Sequence, residues 1–223
     1  MSTNSETSIT KLILIPSVIT LAITLLRLVG ELQNWAPAIF NKAPGGGGSI
    51  LGISWLPLIL GIYFAWKLLR ADEAPASAGR VILFAFLGII LMAAGGFVAF
   101  GSTGPSLDAP LRLIAGQLIL IAAVAVQFPA WRKLFKVLLA YAFAARIPVA
   151  IIMLFAIKGN WGTHYDVAPP EFPAMSWFNK YLLIGFLPQM VIWIAFTVVI
   201  GALTAGITAA IMQRGKATKP VAA

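Results

Sequence analysis

Polar residues recur at steps of three and four through an otherwise apolar segment near the N-terminus of this chain. They are Ser17, Thr20, Thr24, Arg27, Glu31 and Asn34. On an α-helix this spacing places all six side chains on one stripe, within about 100° of arc. The surrounding segment is long and apolar enough to cross a bilayer, where a polar group exposed to lipid is costly. The stripe therefore predicts a helix face that contacts protein or water.

Arg27 and Glu31 are the charged members of this stripe. Their i, i+4 spacing puts the two side chains within reach of each other on one helix, so we expect an ion pair. Glu31 is also the only carboxylate inside or bordering a predicted membrane span, which makes it the one candidate proton carrier in the helices. Because a carboxylate opposite Arg27 should stay ionised, the pairing argues against a simple proton relay. Both residues remain candidate ligand-binding groups.

A second charge, Arg146, falls near the middle of the fifth apolar segment. A guanidinium at that depth costs about 2.5–3.5 kcal/mol and needs acceptors, yet all 7 acidic residues fall in tails, in loops or at a helix end. Neutral acceptors could come from Gln117 and Gln189, or from carbonyls freed by Pro148 and Pro188. Arg146 therefore either ties kinked helices together or binds an anionic ligand such as a carboxylate, a phosphate or a lipid headgroup.

The last apolar segment carries a weaker polar stripe, formed by Thr197, Gly201, Thr204 and Thr208. Small residues at helical spacing let helices pack closely, and threonine can bond back to its own helix. The alternative is that Thr197, Thr204 and Thr208 line a cavity whose other wall is the first stripe. In that case Ser17, Thr20 and Thr24 are also cavity-lining residues.

The loop after the fifth segment concentrates the remaining chemistry, with His164, Asp166 and Glu171 in a short stretch rich in aromatic residues and proline. Histidine and carboxylates can bind a metal or perform acid–base catalysis. The spacing matches neither a metalloprotease nor a nucleophile-elbow motif. We expect an ordered cap over the helices, in which His164 and Asp166 either contact a ligand or only form hydrogen bonds within their own loop. We assign no catalytic residue and no metal site.

Composition defines the elements that position these groups. The 223 residues are 60% hydrophobic and 10% charged, and the mean hydropathy is +0.93, which is typical of an all-α integral membrane protein. Six segments approach the ~20 apolar residues that a bilayer requires. The predicted spans of this single six-helix domain are 12–30, 50–69, 81–101, 111–129, 137–157 and 181–211.

The distribution of Lys and Arg orients the predicted bundle. Most of them fall at the termini and in the second and fourth loops, which places both termini in the cytoplasm. We expect a multi-pass protein of the cell membrane, and a bacterial inner membrane is the expected location. The net charge of +9 follows from this bias, so anionic lipid headgroups are the expected partners rather than nucleic acid. Because the chain has no cysteine and one histidine, we predict no bound cofactor.

Three classes of function remain open. The first is a membrane protein with an outward-facing polar cavity that binds or transports an anionic or amphiphilic solute or lipid. The second is an accessory subunit of a larger membrane complex, associated with partner subunits or with copies of itself. The third is a membrane enzyme at the outer interface, although the chain contains no recognised catalytic, Walker or dinucleotide-binding motif.

Overall fold

The computed structural model describes residues 7–46, 49–101, 109–170 and 172–217. It is 75% helical, with no strand among these residues. The five N-terminal α-helices are α1 (Ile9–Leu32), α2 (Leu56–Arg70), α3 (Ala78–Phe100), α4 (Ala109–Ala125) and α5 (Arg132–Gly159). A 3₁₀ turn, Pro44–Gly46, lies between α1 and α2. The last helical stretch comprises α6 (Trp177–Lys180), the π-helical segments Tyr181–Phe186 and Pro188–Ile192, and α7 (Trp193–Ala217).

Four helical stretches are long and apolar enough to cross a membrane. They are Ile9–Leu32, Ala78–Phe100, Arg132–Gly159 and Trp177–Arg214. These stretches contain the predicted spans one, three, five and six, apart from residue 101 at the end of the third. The all-helical class is therefore confirmed for the described residues, which include four stretches that could span a membrane by length and composition.

In the second and fourth predicted spans, the helix is shorter than the apolar segment that predicted it. Residues 50–55 are not helical, and α2 begins at Leu56, where the missing N–H of Pro57 suits a first helical turn. Helix α4 ends at Ala125, ahead of Pro129, because proline disfavours a helical residue before it. At ~1.5 Å per residue the 15 residues of α2 and the 17 of α4 span about 22 and 25 Å.

The chain divides into two compact units. The first unit contains Met1–Ile13, Pro57–Ala140 and Ala195–Ala223, and the second contains Leu14–Leu56 and Tyr141–Ile194. In the first unit, α3 and α4 pack backbone to backbone: a Cβ on Gly95 would lie 2.9 Å from the carbonyl oxygen of Gly116. Glycine at such a crossing lets two helices approach closely, as is common in membrane proteins.

The second unit has an apolar core at the C-terminal half of α5. Its buried members are Val149, Met153, Ala156, Ile157 and Tyr165. Leu28 of α1 and residues of the first π-helical segment pack against this cluster. The core therefore fixes the last turns of α1, which carry Arg27 and Glu31, against α5 and against the loop after α5, which carries His164 and Asp166.

Candidate functional site

A buried polar cluster lies at the C-terminal end of α1 in the second unit. Arg27 Nε donates a hydrogen bond of 2.8 Å to Glu31 Oε1, so the expected ion pair is present. His164 approaches the same carboxylate twice: its Nδ1 lies 2.5 Å from Oε1, and its backbone N–H donates to Oε2 at 2.9 Å. The Glu31 side chain is 0% exposed. We call Arg27, Glu31 and His164 the Glu31 cluster.

The cluster sets the protonation pattern of the imidazole. An ionised carboxylate only accepts hydrogen bonds, so a neutral His164 must carry its proton on Nδ1 and present a lone pair at Nε2. Burial lowers the pKa of His164, and the nearby Arg27 guanidinium lowers it further, against the opposite effect of Glu31. Nε2 forms no hydrogen bond within the described part of the chain. The imidazole is thus neutral near neutral pH and keeps one nitrogen able to accept a proton.

A glycine turn covers the cluster. Arg27 Nη2 donates to the carbonyl oxygens of Asn41 and Gly46, at 3.1 Å each. Gly46 has a φ of +72°, and a Cβ there would lie 2.9 Å from Arg27 Nη2 and 2.9 Å from His164 Cδ2. Both the conformation and the space therefore require glycine. Three of the five N–H donors of Arg27 therefore bond to protein oxygens.

Asp166 shapes the loop that presents His164. Its carboxylate accepts hydrogen bonds from the backbone N–H of Gly162 at 3.0 Å and of Thr163 at 2.7 Å, and from Thr163 Oγ1 at 2.7 Å. Such a pattern closes a tight turn around an aspartate. Asp166 therefore positions His164 through the backbone. Glu171, the other acid predicted in this loop, falls outside the described residues.

The threonine part of the first stripe is bonded within the protein. Thr20 Oγ1 lies 2.8 Å from the hydroxyl of Tyr141 and donates to the carbonyl of Pro16 at 2.8 Å. Thr24 Oγ1 donates to the Thr20 carbonyl at 2.9 Å, and the Thr24 carbonyl accepts from the Tyr165 hydroxyl at 3.1 Å. Thr20 and Thr24 are buried. This part of the stripe faces side chains of α5 and of the loop after it.

The two ends of the stripe differ from its middle. Ser17 Oγ is buried and has no hydrogen-bond partner among the described residues. Asn34 is exposed, with a φ of +54°, and its side-chain oxygen accepts a 2.7 Å hydrogen bond from Lys42 Nζ. A left-handed asparagine is a common helix ending, which accounts for its place just beyond α1.

Arg146 lies within α5 and is 4% exposed. Its guanidinium carbon lies 4.6 Å from the centroid of the Trp193 ring, a cation–π contact. Within the described residues it forms no ion pair with a carboxylate, and its Nε has no hydrogen-bond partner. The neutral acceptors predicted for it include Gln189, which stands one turn before Trp193. Gln189 donates a 3.6 Å contact to Met153 Sδ and leaves its own Oε1 unpaired in the described structure.

The other predicted site residues belong to the first unit. Gln117 of α4 is 8% exposed, and neither polar atom of its side chain has a partner among the described residues. Thr204 Oγ1 donates to its own helix, at 3.3 Å to Ile200 and 3.2 Å to Gly201. Thr208 does the same to the Thr204 carbonyl at 2.8 Å. Thr197 is buried at 1% exposure.

Comparison of the chain with protein-family models, with curated proteins and with solved structures finds no match. The chemistry of the site rests on its geometry. No group of three metal-ligating side chains occurs among the residues that the structure describes.

Four residues of the site were not predicted from the sequence. Tyr141, Tyr165 and Trp193 contact the stripe or Arg146, and Gly46 closes the Glu31 cluster. Tyr165 directly follows His164, and their rings lie 3.8 Å apart between centroids. Its position beside the only histidine was an available signal. Trp193 lies far from Arg146 in sequence, and no local pattern relates the two.

Proposed function

We propose that this chain is a multi-pass membrane protein that binds an anionic or amphiphilic solute or lipid, with Arg146 as the anchoring charge. The carrying observation is a guanidinium that is 4% exposed and has no carboxylate partner among the described residues. Transport of the bound solute is the further form of this proposal.

The energetics favour an anionic partner. Placing arginine at mid-span costs about 2.5–3.5 kcal/mol. A desolvated cation–π contact such as that with Trp193 offsets about 2 kcal/mol. The unpaired Nε keeps part of the guanidinium fork available, and a carboxylate or phosphate matches that fork with two parallel hydrogen bonds. Gln189, with an unpaired Oε1 one turn from Trp193, offers a polar contact on the same helical stretch.

The membrane topology is part of the proposal. We assign α2 and α4 as two further crossings beside the four long stretches, which gives six spans with both termini in the cytoplasm. Lys11 lies at the start of α1 and Arg70 at the end of α2, and we assign both of these helix ends to the cytoplasmic side. A bacterial inner membrane is the proposed location, and anionic lipids are the proposed surrounding partners.

The test is ligand-dependent thermal stabilisation of purified protein in a neutral detergent. The probes are short-chain carboxylates and phosphate esters, each against wild type, Arg146→Gln, Arg146→Lys and the exposed control Arg80→Gln. A ligand at about one hundred times its Kd stabilises by about 2.7 kcal/mol. We expect this gain in wild type and Arg80→Gln, a weaker gain in Arg146→Lys, and none in Arg146→Gln.

Equal stabilisation of wild type and Arg146→Gln by every probe would contradict the proposal. If Arg146→Gln does not fold, Arg146→Lys decides, since it keeps the charge and loses the planar fork. Mass determination of the same preparation in mild detergent adds a second outcome. A stoichiometric partner chain would support an accessory subunit instead.

The Glu31 cluster favours a second candidate function, a membrane enzyme at the outer interface. A carboxylate that holds Nδ1 of a neutral histidine leaves Nε2 as a general base, as hydrolases use it. Hydrolysis of chromogenic carboxylate and phosphate esters should then be lost in His164→Gln and retained in Lys42→Gln. Wild type that hydrolyses these esters no faster than the detergent blank would count against this candidate.

A further inference from the structure

The first unit contains an open pocket between the start of α1 and the end of α2. Its volume is about 440 Å³, and its lining includes the basic side chains Lys11, Lys67 and Arg70 and the aromatic rings of Tyr63 and Trp66. Three positive charges thus face one space. No carboxylate lines it among the described residues.

The basic groups are held in place without being neutralised. Arg70 and Lys67 lie over the Trp66 ring, with 4.3 and 5.1 Å between the cationic centre and the ring centroid. Within the described part of the chain, the side chains of Lys11, Lys67 and Arg70 form neither a hydrogen bond nor an ion pair. Their N–H donors are therefore available to bind an anion.

The two acids that follow α2, Asp72 and Glu73, do not line the pocket. Burial alone would raise the pKa of Glu73, but the hydrogen bond from Thr7 and the charge of Lys133 hold it below its usual value. The Glu73 carboxylate accepts the Thr7 backbone N–H at 2.7 Å and lies 3.5 Å from Lys133 Nζ. Asp72 is exposed and does not line the pocket.

Two features of the walls favour an anion with an apolar tail. Helix α1 begins at the pocket with Lys11 in its first turn and no acidic residue there. Ile59 and Ile62 are 53% and 49% exposed, and they continue the Trp66 and Arg70 stripe of α2 at helical spacing. One helix face thus runs from a basic end past an aromatic ring to an apolar surface. That order matches the headgroup, interface and acyl chain of a phospholipid.

We propose that this pocket binds the phosphate-bearing headgroup of an anionic phospholipid, with Lys11, Lys67 and Arg70 on the phosphate and the acyl chains along Ile62 and Ile59. The site is separate from Arg146. It rests on the proposed function for the assignment to a membrane and for anionic lipids as the surrounding partners.

The test is native mass spectrometry of the detergent-purified chain with three probes. They are a short-chain phosphatidylglycerol, a phosphatidylcholine with the same acyl chains, and glycerol phosphate, which has no chains. The variants are Lys67→Gln/Arg70→Gln and the matched control Arg80→Gln/Arg132→Gln, which removes two exposed charges that also lie over aromatic rings.

Each basic residue near an anionic headgroup contributes a factor of about five in affinity. We therefore expect the Lys67→Gln/Arg70→Gln variant to bind phosphatidylglycerol about thirtyfold more weakly than wild type, and the control to bind it as wild type does. Phosphatidylcholine and glycerol phosphate should bind more weakly than phosphatidylglycerol to wild type and to the control.

Equal losses in the two double variants would overturn the proposal, because they would indicate attraction by net charge alone. Glycerol phosphate binding as tightly as phosphatidylglycerol would also overturn it, in favour of a site for a free anion. If Lys67→Gln/Arg70→Gln fails to fold, Lys11→Gln carries the test with an expected fivefold loss. Lys67→Gln/Arg70→Gln should keep the stabilisation by short-chain carboxylates that Arg146→Gln loses, so the two proposals fail independently.

Discussion

Glu31→Gln is the substitution that probes the Glu31 cluster most directly. It keeps the shape of the side chain but removes the charge that Arg27 and His164 both contact. The Arg27 and Glu31 side chains are 9% and 0% exposed, so the variant leaves a guanidinium that water cannot fully compensate. Removing one partner of a buried pair costs about 3–5 kcal/mol. Because the amide oxygen still accepts one hydrogen bond, we expect the lower end, about 3 kcal/mol.

Thermal unfolding in detergent, followed by circular dichroism and tryptophan fluorescence, measures this loss. For a chain of this size 1 kcal/mol corresponds to about 2–4 °C, so the Tm should fall by about 6–12 °C. Asp72→Asn is the matched control, because it makes the same carboxylate-to-amide change at an exposed site where a shift under about 2 °C is expected. Arg27→Gln/Glu31→Gln should lose less than the sum of the two single variants, since it removes both charges together.

A Tm for Glu31→Gln within about 2 °C of wild type would refute this reasoning. Strict additivity in the double variant would refute it as well. Either result would mean that the charges of the cluster are solvated or paired in another way, and that the cluster does not hold α1 to the loop after α5.

Two further predictions concern the same cluster. Burial and Arg27 lower the pKa of His164 below 6.5 in the folded state. Between the folded and the unfolded pKa, the folded state therefore binds fewer protons than the unfolded state. The contribution of His164 to stability is complete above about pH 6.5 and is lost as the pH falls towards the folded pKa. Unfolding measured from about pH 8 to pH 5 should show this decline in wild type and a flatter profile in His164→Gln, and parallel profiles would exclude the effect. Gly46→Ala should destabilise more than Gly45→Ala: both have positive φ, a strain of about 1–2 kcal/mol, but a Cβ meets Arg27 and His164 at Gly46 and no atom within 4 Å at Gly45. Equal losses of Tm in the two variants would show that the turn does not press on the cluster.

Local periodicity made part of the site predictable. The i, i+4 step from Arg27 to Glu31 specifies an ion pair on any helix, and the pair is observed. The contact of His164 with Glu31 joins residues 133 positions apart. It depends on a turn that Asp166 closes and on the packing of Tyr165, so no pattern within one segment predicts it.

The helix boundaries show a similar division. Apolar composition locates the four long stretches, but it continues past the points at which backbone chemistry sets the helix boundaries. Helix α2 begins at Leu56, beside Pro57, and α4 ends ahead of Pro129. The π-helical segments around Pro188 are related to the backbone N–H that proline lacks. The sequence predicts that a carbonyl is left without its helical hydrogen bond, but it does not predict that the backbone becomes π-helical there. The position of Arg146 near the middle of α5 follows from the sequence, whereas its contact with Trp193 depends on the packing of helices that are distant in the chain.

The separation between Glu31 and His164 has a consequence for the order of events during synthesis. At about 5–20 residues per second, a ribosome needs roughly 7–27 seconds to make the 133 residues that separate the two. Throughout that interval the carboxylate has Arg27 on the preceding turn of the same helix. The nascent first helix therefore carries no net charge at this turn before His164 has been made. Arg27 is the partner of Glu31 during synthesis, and it remains so after His164 joins the cluster.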